Sequence, residues 1–229
     1  MAIGGTVVDR PIIFSSPMIL ALLQNRKTMT RRLAWQPSHK AALVGCDYSS
    51  EELEDFDARG WNVEQRGQMT YVSKPTPWQR VKPGDRLWSR ESLQSFAREP
   101  RATAQYVADI TAVPHRGVVE GWCDGSAYWQ WPRKALPSIH MPRWASRLTL
   151  IVTATKIERL QEISETEAEA EGVRLNLDVT PVKTWRGAFC DVWCSLHGIG
   201  AWKANPEVVA LTFTVHKQNI DTLAKAQAA

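Results

Sequence analysis

Cysteine, long apolar stretches and strong net charge are all scarce in this chain of 229 residues. The four cysteines, Cys46, Cys123, Cys190 and Cys194, are scattered and too few for a disulfide framework, so we expect reduced thiols. No apolar stretch approaches the roughly 20 residues of a membrane-spanning helix, and the N-terminus lacks the basic region followed by an apolar stretch that is typical of a signal peptide. We therefore predict a cytoplasmic protein without a membrane partner.

The formal net charge of +4 permits contact with nucleic acid but is too small to require it. Contents of 44% hydrophobic and 23% charged residues are typical of globular proteins. Internal repeats and shifts of composition are also lacking. The sequence therefore favours one domain spanning residues 1–229.

Tryptophan, in contrast, is abundant, with eleven residues. Aromatic faces beside cations can stack nucleic-acid bases, although most tryptophans in proteins pack in cores or under lids. Both interpretations stay open for the seven that lie within two positions of Arg, Lys or Pro: Trp35, Trp78, Trp88, Trp131, Trp144, Trp185 and Trp202.

Apolar periodicity and capping signals predict most of the regular structure. Two insertions are expected, at about 36–76 and 97–134, because turn residues and irregular spacing dominate there; the second holds a strand candidate at 104–107. The Ala-rich tail 219–229 is expected to be disordered. The expected elements are strands at 12–14, 86–93, 147–160 and 207–216, and helices from Pro17 to about Leu23 with Ser16 as the cap, from Ser164 to Gly172 and at 184–197.

A basic tract follows the first expected helix. Arg26, Lys27, Arg31 and Arg32 surround two threonines with no acidic residue among them. Such a cluster favours a small anion or a phosphate backbone as a partner. Alternatively, the cations cap the C-terminus of the helix, where the last carbonyl groups attract positive charge.

Several segments together resemble one known family. The tract Lys27–Arg32, the turn Pro83-Gly84-Asp85 with Leu87-Trp88, the stretch 148–172, the strand around Phe213 and the segment 137–147 are similar to the ASCH domain, a branch of the PUA-like superfamily. The similarity is greatest to the longer members found in phages and prophages. It implies an α+β fold in which helices flank a small mixed β-barrel, here with the two insertions.

The resemblance also implies a chemistry. Small bacterial ASCH proteins hydrolyse N4-acetylcytidine with a Lys, a Thr three residues later and a more distant Glu, which correspond here to Lys27, Thr30 and, more loosely, Glu171. A lysine whose pKa is lowered can activate a threonine hydroxyl, and a carboxylic acid can protonate the departing amine. The alternative is structural, with Lys27 and Thr30 capping a helix and binding phosphate while Glu171 is solvated.

Two functions from different classes follow. The first is recognition of RNA or of a modified pyrimidine nucleoside in a basic cleft; the second is amidohydrolysis of an N4-acyl group, with a ribonuclease as a less favoured variant. His140 could line the cleft or be structural, and Arg90 and Glu91 could form an internal ion pair or read a base edge. The residues expected to bind the ligand are Arg26, Arg31, Arg32, Trp88, Arg90, Glu91, His140 and Arg143.

Two cysteines and a histidine near the C-terminal end of the helix at 184–197 are candidate metal ligands. Cys190, Cys194 and His197 fall on one helical face, but a zinc site would need a fourth ligand such as Cys123 or His115, and the chain has no Cys-x-x-Cys pair. We predict ordinary packing there, with neither a metal ion nor a cofactor. The oligomeric state stays open.

Overall fold

The computed structural model describes residues 7–37, 49–66, 69–97, 101–115, 125–175 and 184–228. Its mixture of helices and sheets confirms the α+β class. The helices are α1 (Ser16–Leu23), α2 (Ser50–Ala58), α3 (Glu165–Ala170), α4 (Trp185–His197) and α5 (Ile220–Ala228). The strands are β1 (Asp9–Ile13), β2 (Met29–Leu33), β3 (Trp35–Pro37), β4 (Asn62–Arg66), β5 (Met69–Pro75), β6 (Arg86–Arg90), β7 (Leu93–Phe96), β8 (Thr103–Tyr106), β9 (Ala135–Leu136), β10 (Thr149–Arg159) and β11 (Glu207–His216).

A five-stranded sheet forms the centre, with strand order β1-β6-β10-β11-β2. β1 and β6 pair in parallel, and the other neighbours pair antiparallel. Leu150 and Val152 of β10 and Leu211 and Phe213 of β11 are buried in one core, as the period of two along a strand predicts, and Ile19 of α1 packs into the same core. This arrangement places β2 at one edge of the sheet, where α3 contacts it.

Two small sheets lie in or beside the expected insertions; in the second sheet only β8 falls within 97–134, and β7 and β9 flank that range. β3, β5 and β4 form one, and β8, β7 and β9 form the other, around the buried residues Leu93 and Tyr106. Within the described ranges, none of the three sheets closes into a barrel. No helix in this part of the chain is long and apolar enough to cross a membrane.

Local signals set the ends of three helices. α3 begins with the expected capping box, in which Ser164 accepts a hydrogen bond from the Glu167 backbone N–H. Thr184 caps α4, and Gly198 follows it with a φ of +99°. Ser15 rather than Ser16 is the residue before α1, one position earlier than expected, and Pro17 lies in the first turn as expected.

The basic tract runs from a turn into a strand and lies outside the preceding helix, since Arg26 and Lys27 come before β2 while Arg31 and Arg32 lie in it. α1 stops at Leu23, and its last turn contains no basic residue. Asn25 then adopts a left-handed conformation with a φ of 56°, and β2 begins at Met29. The interpretation of these cations as caps of the preceding helix is therefore wrong.

The tail also differs from its prediction, because α5 occupies residues expected to be disordered. Ile220 is fully buried and Leu223 is 7% exposed. The Asn219 side-chain amide donates hydrogen bonds of 2.8 to 3.2 Å to the carbonyl groups of Arg143, Trp144 and Ser146. Three partly buried hydrogen bonds and two buried apolar side chains thus dock a segment whose composition alone suggests disorder.

Candidate functional site

A cavity of about 360 Å³ lies between the start of α1, the strand β2 and the helix α4. This volume is in the range of small-molecule sites. One side is polar and the other is apolar. The polar side consists of Lys27, Thr30, Arg31, Arg32 and Glu171, and the apolar side includes Val173, Phe189, Val192, Trp193 and Leu196.

The three residues expected to be catalytic all line this cavity. Lys27 is 2% exposed, and its Nζ donates hydrogen bonds of 2.8 Å to both the main-chain oxygen and Oε2 of Glu171. Burial lowers the pKa of Lys27 below its ordinary value; the Glu171 carboxylate opposes this effect, and the charges of Arg32 and Arg31 add to it. Lys27 is therefore easier to deprotonate than a lysine in water.

Thr30 lies in the middle of β2, opposite Leu211 of β11, and is 4% exposed. Its neighbour Arg31 faces the same cavity. Among the described residues, no hydrogen bond joins the Thr30 hydroxyl to Lys27, whose ammonium is directed to Glu171. A ligand in the cavity could contact Thr30 and Lys27 together.

A tight backbone contact brings Lys27 and Glu171 together. The Thr28 N–H donates to the carbonyl of Ala170 at 2.9 Å, and Arg26 Nη1 donates to the carbonyl of Gly172 at 3.0 Å. Gly172 has a φ of +78°, and a Cβ there would lie 2.7 Å from the Lys27 Cβ. Only glycine fits both the conformation and the space at the end of α3.

Arg31 is committed to acidic partners. Its side chain is fully buried, and Nη2 lies 2.7 Å from Glu158 Oε1 and 3.1 Å from Glu167 Oε2. Nη1 lies 3.3 Å from Glu171 Oε1. Arg31 therefore stabilises the join between β2, β10 and α3, and its charge is already compensated.

Arg32 has no such compensation. Its Nη2 donates to the carbonyl of Ile13 at 2.7 Å, and its guanidinium lies 5.4 Å from the centre of the Phe14 ring and 5.6 Å from that of Trp78. The described part of the chain places no carboxylate within ion-pair distance of it. Burial lowers the pKa of Arg32, and the more distant Glu171 opposes this effect.

The remaining residues expected to bind a ligand lie outside the cavity lining, and two of them are in ion pairs. Glu91 is buried, and its Oε2 lies 2.8 Å from Arg147 Nη2. Arg143 Nη2 lies 2.6 Å from Asp9 Oδ2 and 2.8 Å from Asp221 Oδ1. Glu91 therefore has an internal partner, Arg147 rather than Arg90, and Arg143 helps to dock α5.

Four others are dispersed. Trp88 is buried in β6, and the guanidinium of Arg90 lies 5.4 Å from the centre of its ring. Arg90 also donates a hydrogen bond to the carbonyl of Ile139. His140 is exposed in a 3-10 turn, and Arg26 donates hydrogen bonds to the Gln24 side chain and to the Gly172 carbonyl. The structure thus unites Lys27, Thr30, Arg31, Arg32 and Glu171 around one cavity and leaves the other six outside its lining: Arg26, Trp88, Arg90, Glu91, His140 and Arg143.

Sequence reasoning missed the wall formed by α4. The sequence predicts this helix at 184–197, but nothing in the local pattern shows that it faces the basic tract. His197, at the end of α4, lines the cavity and stacks on Trp193 with ring centres 4.1 Å apart. Burial lowers the pKa of His197, and the positive charge of Arg32 lowers it further.

The possible zinc ligands do not form a cluster in the described residues. Cys190 and Cys194 are free thiols, and burial and the neighbouring Cys194 raise the pKa of Cys190 to about 11. No group of three or more His, Cys, Asp or Glu side chains there is arranged to hold a metal ion. Cys46 and Cys123 lie outside the described ranges.

Comparison of this chain with protein-family models, curated proteins and solved structures gives no match.

Proposed function

We propose that the cavity binds a modified pyrimidine nucleoside and that Thr30 removes an acyl group from its exocyclic amine. The observation that carries this proposal is the meeting of Lys27, Thr30 and Glu171 in one small cavity, although Glu171 lies far along the chain from the other two. The resemblance to ASCH proteins selects the same three residues. Membership of that family, with its small β-barrel, is part of the proposal.

The groups present can complete the reaction with balanced atoms. Lys27 becomes a base when its proton passes along the 2.8 Å hydrogen bond to Glu171. It then takes the proton of the Thr30 hydroxyl as Oγ bonds to the acyl carbon, and the carbon–nitrogen bond breaks as Glu171 protonates the departing amine. Water then hydrolyses the acyl-threonine, which releases the carboxylic acid and restores the hydroxyl.

The distribution of charge favours a small ligand over an extended RNA strand. Arg31 and Lys27 are paired with acids inside the protein, so the basic tract is not an open cationic surface. The opposite wall of the cavity is apolar and aromatic, which suits a base or an acyl group. A nucleotide within RNA would have to leave its strand to enter.

Recognition without hydrolysis is the second candidate. The hydrogen bonds of the Lys27 ammonium go to Glu171 and not to Thr30, which suits a structural ion pair as well as a resting base. In that case the cavity binds the modified nucleoside and releases it unchanged. The two candidate functions differ in the role of the Thr30 hydroxyl: hydrolysis requires it as the nucleophile, and recognition alone does not.

The test is release of acetate from N4-acetylcytidine by the parent protein and by Thr30→Val, Thr30→Ser and Thr28→Val. Valine keeps the shape of threonine but removes the hydroxyl, and we expect turnover to fall about 100-fold or more, with partial recovery in Thr30→Ser. Thr28 is exposed and does not line the cavity, so Thr28→Val is the matched control. Equal turnover in Thr30→Val and the parent would refute the role of Thr30. Binding without turnover in the parent would establish the second candidate.

A further inference from the structure

Arg32 lines the cavity and lacks both an ion-pair partner and a full set of hydrogen-bond acceptors among the described residues. One of its N–H groups is bonded to the Ile13 carbonyl, and its Nε is buried without a hydrogen-bond partner in the described ranges. Lys27 and Arg31, beside it, both have carboxylate partners. Arg32 is partly buried, and a cation with a desolvated N–H and no counter-charge is costly, so an anion that reaches it is bound favourably.

A second donor without a partner lines the same cavity. Trp193 is 3% exposed, and its Nε1 is buried with no acceptor among the described residues. His197 lies against Trp193, and the charge of Arg32 acts on it, so His197 connects the two donors around the cavity. An N–H of tryptophan can only donate, which requires an acceptor from the ligand.

The start of α1 adds positive potential. Ser15, Ser16 and Met18, from its first turn, line the cavity. The Ser15 side chain does not cap the helix, and the first turn contains no acidic residue. The N–H groups of this turn and the helix dipole therefore favour a negative group.

We infer that the cavity holds an oxyanion of its ligand at Arg32, and that this oxyanion is the 5′-phosphate of a nucleotide. A guanidinium presents a planar fork of donors that matches two oxygens of a phosphate or carboxylate. The inference rests on the proposed function only where it names a nucleotide; the need for an anion follows from Arg32 itself. Arg32 would then bind the phosphate, and Lys27 and Thr30, which also line the cavity, would contact the base end of the ligand.

The first experiment compares the affinity of the full chain for cytidine 5′-monophosphate and for cytidine by calorimetry. We expect the monophosphate to bind the parent about tenfold tighter or more, because hydrogen bonds between charged groups are strong. This preference should shrink below about twofold in Arg32→Gln and persist in Arg80→Gln. Arg80 is exposed near Trp78 and does not line the cavity, so it is the matched control. A phosphate preference that Arg32→Gln leaves intact would overturn the inference.

The second experiment separates the two sources of an oxyanion. N4-succinylcytidine differs from N4-acetylcytidine by a carboxymethyl group, which places a carboxylate at the end of the acyl chain. If the succinyl compound binds more tightly than the acetyl compound in an Arg32-dependent way, while the monophosphate binds no more tightly than cytidine, the anion contacted by Arg32 belongs to the acyl end of the ligand. That result would overturn the phosphate assignment. If neither the phosphate nor the carboxylate increases the affinity, the oxyanion site itself is overturned.

Inorganic phosphate provides a measurement that does not need a nucleoside. Titrated into the parent, it should shift the NMR signals of the His197 imidazole in a saturable way and leave those of the exposed His140 unchanged. If His197 responds to phosphate but no cytidine compound binds, the anion site is supported and the proposed function is refuted. If Arg32→Gln does not fold, the parent titration and Arg32→Lys, which keeps the charge but not the fork, decide the question. No response of His197 up to tens of millimolar phosphate would overturn the site.

Discussion

Lys27 Nζ lies 2.8 Å from Glu171 Oε2, and both side chains are almost fully shielded from solvent. A pair of this kind is costly to break from one side, because the remaining charge stays buried without its partner. The same pair sets the protonation of the proposed base. Its integrity should therefore determine both stability and activity.

Glu171→Gln should lower the free energy of unfolding by about 3 kcal/mol, since it leaves the Lys27 ammonium without its counter-charge. Chemical denaturation at pH 7 measures this change. Glu169, on the same helix but exposed, supplies the control Glu169→Gln, for which we expect a change within about 0.5 kcal/mol. Similar losses in the two variants would show that the pair contributes little.

His197 should report the charge of Arg32 in the absence of ligand. A nearby cation disfavours the imidazolium, so burial and Arg32 both lower the pKa of His197. Arg32→Gln removes one cause, and the imidazole should then titrate at higher pH than in the parent. NMR titration of the His197 ring measures the midpoint, with Arg80→Gln as the control. An unchanged midpoint in Arg32→Gln would contradict the proximity of the two groups.

Removal of α5 tests whether the C-terminal segment is docked. Truncation after Gln218 removes Asn219, Ile220 and Leu223, which make its hydrogen bonds and buried contacts. We expect a loss of about 3 kcal/mol or more, because one fully buried Ile side chain alone contributes about 2 kcal/mol. Truncation after Ala226 keeps these contacts and should be nearly neutral. Equal stability of both truncated proteins would support the disordered tail that composition suggested.

Sequence patterns identified the elements whose ends are set by neighbouring residues. The capping box of Ser164 and Glu167 fixes the start of α3, and Thr184 and Gly198 bound α4, so both helices could be predicted. The strand β2 could not, because its two arginines obscure the pattern. The partners that bury Arg31 come from distant parts of the chain.

The candidate site could be predicted only in part from the sequence, because its contacts also join distant parts of the chain. Lys27, Thr30 and Glu171 were selected by resemblance, since no local rule places Glu171 beside Lys27. Arg143 and Glu91 looked like ligand-binding residues until their partners Asp9 and Arg147 were known. Charge in a sequence shows where electrostatic interactions exist, but their assignment to the protein or to a ligand depends on tertiary contacts.

The close approach at Gly172 offers the sharpest structural test. Gly172 and Gly198 both follow a helix with a positive φ, of +78° and +99°, so alanine strains the backbone at either position. At Gly172 the new Cβ would also lie 2.7 Å from Lys27 Cβ and 2.8 Å from Ala21 Cβ, whereas nothing lies within 4 Å at Gly198. Neither neighbouring Cβ can rotate away, because each is fixed by its own backbone.

Gly172→Ala should therefore destabilise the protein by about 1 to 3 kcal/mol more than Gly198→Ala, the usual cost of overpacking. Denaturation of the two variants under the same conditions gives the difference directly. Gly172→Ala should also reduce turnover of N4-acetylcytidine at temperatures where the variant is still folded, because the displaced Lys27 can no longer act on Thr30 from its place beside Glu171. Equal destabilisation of the two variants, with turnover retained in Gly172→Ala, would mean that the contact between α3 and the residues before β2 is looser than the structure indicates and does not position Lys27.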